Sequence, residues 1–127
     1  VNVGAIGVII DTLRKQNMHV TATDLDEALI NNKLSDVEIA DGALHTNEYV
    51  AEADVAIVTG MCIGNGTLPE IVDIANKNGT KLIIVAETGA GLGRAYCDLF
   101  DIDVVVAEPF PFYIFDCHSE MLIYRKK

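Results

Sequence analysis

Thr59-Gly60-Met61-Cys62-Ile63-Gly64-Asn65-Gly66-Thr67 is the stretch whose residue types could do chemistry. It follows the apolar run Val55–Val58 and precedes Leu68, Ile71, Val72 and Ala75, spaced i, i+3, i+4, i+7 as on one face of a helix. A helix N-terminus leaves backbone N–H groups unpaired and favours negative charge. Gly60, Gly64 and Gly66 let the backbone approach a ligand closely. Thr59, Asn65 and Thr67 add polar handles, and Cys62 sits just ahead of a helix start that would favour a thiolate. Part of the stretch has a plainer role. Thr67-Leu68-Pro69-Glu70 reads as a capping box with proline tolerated in the first turn. Gly60 to Asn65 has no such explanation. The Gly-Lys-Ser/Thr ending of a P-loop is absent.

Two further glycine turns are expected at the same sheet edge. Gly4-Ala5-Ile6-Gly7 follows a first strand, and Asp24 lies twenty residues beyond Gly4. A dinucleotide fold places an acid at that distance for ribose hydroxyls, but position 2 is Asn rather than the leading glycine. Asp24-Leu25-Asp26-Glu27 also reads as a capping box, which alone accounts for the Asp. Thr88-Gly89-Ala90-Gly91 follows the run Lys81–Ala86 and should face the Thr59–Thr67 loop across one crevice. Glu87, just ahead of it, is an acid, base or metal ligand, or a solvated loop residue.

Other chemistries find less support. Cys62, Cys97, Cys117, His19, His45 and His118 are metal-ligand types, yet none has zinc-finger spacing. Cys97 reads as a packing residue, and Cys117 and His118 would point to opposite faces of a strand. Ser35 and Ser119 are the only serines, and no nucleophile elbow surrounds either. The net charge is −10, with eleven acids and one base between Asp24 and Asp73 and eight of each elsewhere. That distribution disfavours nucleic acid, which needs clustered Lys and Arg. No apolar run approaches the ~20 residues that span a bilayer, and no secretory leader pattern is present. Reduced cysteines and a cytoplasmic location are expected.

The 127 residues, half of them hydrophobic, suit one domain. Strands are expected at 1–3, 19–23, 37–39 (a weak edge strand), 54–58, 81–86 and 103–107. Helices are expected at 8–17, 25–32, from Thr46 or Asn47 to Ala53, from Thr67 to Gly79, and after Gly91 with Leu92, Ala95, Tyr96, Leu99 and Phe100 on one face. Phe112–Phe115 and Met121–Tyr124 read as a C-terminal hairpin. Alternating strands and helices with near-continuous apolar strands give a doubly wound, mainly parallel, Rossmann-like α/β sheet with helices on both faces.

Thr59-Gly60, a short variable stretch, Asn65-Gly66-Thr67-Leu68 and Glu70 resemble the Rossmann-like domain of the family described as putative heavy-metal chelation. The likeness extends from Ala53 to about Val106, and Gly4–Leu13 resembles the family's first strand–helix turn. The resemblance implies the C-terminal domain of that family, usually preceded by a smaller domain like the enolase N-terminal fold, with the site in the cleft between them. On this reading the chain is a fragment of a longer protein, a stand-alone version, or one that replaces the missing domain by self-association as a homo-oligomer. The expected ligand is a small anionic molecule or metal complex, touching Gly4, Gly7, Asp24, Thr59, Gly60, Cys62, Asn65, Gly66, Thr67, Thr88, Gly89 and Gly91. The competing expectation is a nucleotide- or S-adenosylmethionine-dependent transferase or oxidoreductase, with Asp24 on the ribose. A third is an interaction module using the aromatic stretch Phe110–Phe115.

Overall fold

The computed structural model describes residues 1–109 and 120–127. In chain order its elements are β1 (Asn2–Val3), α1 (Gly7–Lys15), β2 (Ala22–Asp24), β3 (Lys33–Leu34), β4 (Val37–Asp41), α2 (Gly42–Glu52) and β5 (Val55–Thr59). Then come α3 (Met61–Gly64), α4 (Leu68–Asn78), β6 (Lys81–Ala86), a 3-10 turn (Ala90–Leu92), α5 (Gly93–Phe100), β7 (Val104–Ala107) and β8 (Leu122–Arg125). The strands form one sheet in the order β3-β4-β2-β1-β5-β6-β7-β8. The six central strands are parallel, while β3 and β8 run antiparallel at the two edges. This is the doubly wound, mainly parallel α/β architecture read from the sequence. β8 pairs with β7; the Phe112–Phe115 half of the expected hairpin lies outside the described residues.

Strand alternation sorts the core into two layers. On one face Ala56, Val58, Leu82, Ile84 and Val105 pack with Val50 of α2, Ile71, Val72 and Ala75 of α4, and Tyr96 and Cys97 of α5. On the other, Ile10 of α1 packs with Ala22, Val37 and Ile39. Helices therefore lie on both faces, and among the described residues α1 is the helix that covers the second.

Several local expectations are corrected. Residues 25–32 form turns rather than a helix, because Asn31 adopts φ 64° and its N–H bonds to Ile39 O at 2.9 Å. That diversion pulls the chain into the β3–β4 hairpin, so β3 is the edge instead of β4. Helix α2 starts at Gly42, because the Asp41 carboxylate accepts from Ala43 N at 2.9 Å and caps it ahead of Thr46. Helix α4 begins after Thr67 and ends at left-handed Gly79, as expected, but the capping box does not form. Thr67 Oγ1 instead donates to Asn65 Oδ1 at 2.8 Å, and Glu70 accepts from Asn47 Nδ2 at 2.7 Å. Helix α5 is rotated from the expected phase. Gly93, Tyr96 and Cys97 are buried, whereas Leu92, Leu99 and Phe100 face outward.

Candidate functional site

Strand β1 is flanked by β2 on one side and β5 on the other, so the chain leaves it in one direction and returns on the opposite side. Ligands in open α/β sheets bind outside the carboxyl ends of the strands at such a switch point. A cavity of about 320 Å³ lies there, with Val3, Gly4, Thr23, Asp24, Thr59 and Cys62 among the residues around it. A larger groove of about 680 Å³ lies among Val20, Thr21, Val55 and neighbouring residues, towards the amino ends of β2 and β5, and gathers none of the glycine turns.

The cavity is built from the strand ends upward. Gly4 has φ 76°, and its Cα lies so close to the Thr59 methyl group that a Cβ would overlap it. This close approach brings the β1–α1 turn against the end of β5. Asn2, fully buried, fixes the same junction. Its Oδ1 accepts from Ile6 N at 2.8 Å, and its Nδ2 donates to Ile57 O at 3.1 Å. Asp24 holds the turn from the β2 side: Oδ2 accepts from Ala5 N at 2.8 Å and Oδ1 from Asp26 N at 2.9 Å. The Asp24 side chain therefore braces the glycine turn instead of capping a helix. Thr23 and Thr46, bonded through their hydroxyls at 2.9 Å, close another wall.

Between β5 and α4 the expected loop contains a helical turn, α3, which buries Cys62. Burial pushes the Cys62 thiol above its ordinary pKa, with the Asp24 charge adding in the same direction and a Thr67 hydrogen bond opposing. The expectation of a favoured thiolate is thus corrected: removal from water outweighs the helix start. Asn65 and Thr67 complete that wall.

Of the twelve residues the sequence nominates, Gly4, Asp24, Thr59, Cys62, Asn65 and Thr67 line this cavity. Gly7 opens α1 beside Leu34, and Gly66 takes a left-handed φ of 78° in open space. Gly60 faces the next loop: a Cβ there would lie 2.7 Å from Thr88 O. Thr88 Oγ1 lies 3.8 Å from Met61 Sδ, behind the cavity wall that Met61 forms. Gly89 abuts Tyr96 and Ile63, and Gly91 has no close neighbour. The Thr88–Gly91 loop therefore supports α3 from behind rather than lining the cavity. Asn2, Thr23 and Thr46 also build the site, although no sequence motif marks them as site residues. The Asn at position 2 was the one visible signal, a polar residue at a buried strand end.

Among the described residues, Asp24 is the only charged one lining the cavity. Among the described residues, no three His, Cys, Asp or Glu side chains gather as a metal cluster. A family model described as putative heavy-metal chelation matches residues 1–86, from β1 through β6, and so covers every residue of the cavity. The restriction to a C-terminal domain of that family is not borne out by the match. No curated protein and no solved structure matches the chain.

Proposed function

The chain belongs to that family, and we propose that its switch-point cavity binds a small molecule or a metal complex. The observation that carries this reading is the convergence of Gly4, Asp24, Thr59, Cys62, Asn65 and Thr67 on one cavity of about 320 Å³. Its volume is at the lower end of the range for small-molecule sites. The charge pattern supports an electropositive or neutral ligand over an anion. Ala5 N and Ile6 N, the amides an anion would use at the start of α1, already donate to Asp24 and Asn2. Asp24 carries the cavity's charge, and among the described residues no lysine, arginine or histidine lines it.

Cys62 and Asp24 offer one soft and one hard donor. A tetrahedral ion held by side chains alone needs about four donors. The donor set therefore suits a metal that brings other ligands with it, with Thr59, Asn65 and Thr67 binding those ligands through hydroxyl and amide groups. The test is native mass spectrometry with metal analysis of the purified chain, followed by thermal melts with zinc and cadmium ions. A retained mass or a rise in Tm is expected, abolished in the Asn65→Ala/Thr67→Ala double variant. Equal stabilisation of that variant would sink the assignment.

The nucleotide or S-adenosylmethionine reading keeps one specific support, the position of Asp24 at the end of β2, inside the cavity. Melts with NAD, ATP and S-adenosylmethionine separate it from the first, because a bound ligand raises Tm by mass action. Absence of a shift at millimolar concentration removes it.

A further inference from the structure

Strands β5, β6 and β7 are apolar at nearly every position, the pattern of parallel strands buried on both faces. Helices α4 and α5 cover one face of them. The register places Ile57, Ile83, Val104 and Arg125 side by side in one row of the other face. Thr59, Val85, Val106 and Ile123 form the next row, which begins at the cavity wall. Helix α1 packs over the β2–β4 half of this face, with Ala22 and Ile39. No described helix lies over the β5–β8 half, where Val55 is 39% exposed and Ile123 59% exposed.

We infer that this half-face of β5–β8 is the interface with a second copy of the chain, packed sheet against sheet. Charge favours a self-interface here over the rest of the surface. From residue 74 onward the chain has seven acids and six bases, whereas Asp24–Asp73 holds eleven acids and one base. Two copies meeting through β5–β8 leave the acids on and around β2, β3 and β4 at the far side of each sheet, away from the partner. A twofold axis parallel to the strands, between β6 and β7, exchanges β5 with β8. It sets exposed Arg125 of each copy level with Ile57 of the other's β5, with exposed Asp54 three residues toward the amino end of that strand. The inference is independent of what the cavity binds.

Sedimentation equilibrium across micromolar to millimolar concentration tests it. The expected mass is twice 13.7 kDa, and Val106→Lys should raise the dissociation constant at least tenfold with an unchanged circular dichroism spectrum. Arg125→Glu should weaken association and Leu99→Lys, on the outer face of α5, should leave it intact. The charge swap protects the test should Val106→Lys fail to fold. A mass of 13.7 kDa at every concentration overturns the inference. So does a dimer that survives Val106→Lys and Arg125→Glu but is lost in Leu99→Lys.

Discussion

Asn2 does more for the cavity than its place in the sequence suggests. It is a buried amide serving β1, α1 and β5 at once, through Ile6 N and Ile57 O. Removing it deprives the partly buried Ile6 N–H and Ile57 carbonyl of this partner. Asn2→Ala is expected to lower unfolding free energy by about 1–3 kcal/mol, read by urea denaturation. Gly4 has no tolerant substitute either. Alanine there would combine a left-handed backbone with overlap on the Thr59 methyl group. A cost of roughly 2–4 kcal/mol is expected for Gly4→Ala, and the same variant should lose any ligand-induced rise in Tm. A variant as stable as the parent would show that the β1–α1 turn does not need this approach. Gly4 and Asp24 were legible in the sequence because turn chemistry and spacing announce them. The roles of Asn2, Thr23 and Thr46 were not, since their partners lie on elements distant in the chain.

At the scale of elements, a local pattern was reliable where local physics decides and misled where tertiary contacts compete. The α4 stripe of Leu68, Ile71, Val72 and Ala75 is buried as its spacing requires. The capping box at its start was a local reading overruled by contacts from elsewhere, because Asn47 of α2 captures Glu70. The real side-chain cap is Asp41 on α2. Asp41→Ala should therefore cost about 1 kcal/mol in a denaturation experiment, whereas Thr67→Ala should cost less than half of that while still affecting the cavity. The reverse order would restore the capping box. Large apolar Leu92, Leu99 and Phe100 suggest a different phase for α5, yet the helix turns smaller Gly93 and Cys97 inward with Tyr96. A Cβ on Gly93 would collide with the Tyr124 ring of β8, so close packing outranks hydrophobicity at that position.

The whole molecule couples its sheet to its charge. Asp103, just ahead of β7, accepts from Leu82 N at 2.9 Å and from Lys81 Nζ at 3.1 Å, tying the starts of β6 and β7 together. Burial pushes its carboxyl up, but the Leu82 N–H and the Lys81 and Lys126 charges outweigh that, and its pKa lies below the ordinary aspartate value. A depressed folded-state pKa contributes stability that is present above the unfolded value and lost as pH falls through the folded one. The window is therefore the acid side, from about pH 4 downward. Against this, the net charge of −10 means that protonating carboxylates in the Asp24–Asp73 stretch relieves repulsion over the same range. The two effects separate experimentally. Raising salt from about 0.01 to 0.15 M shortens the Debye length from roughly 30 to 8 Å and should raise Tm at pH 7, where repulsion is greatest. Asp103→Asn should leave that salt response unchanged while flattening the fall in stability below pH 4. If the variant keeps the parent's acid limb, the Leu82 and Lys81 contacts do not couple the sheet to pH. The loss must then be sought at Asp11, whose carboxyl the hydrogen-bonded Lys15 ammonium holds below the ordinary aspartate value.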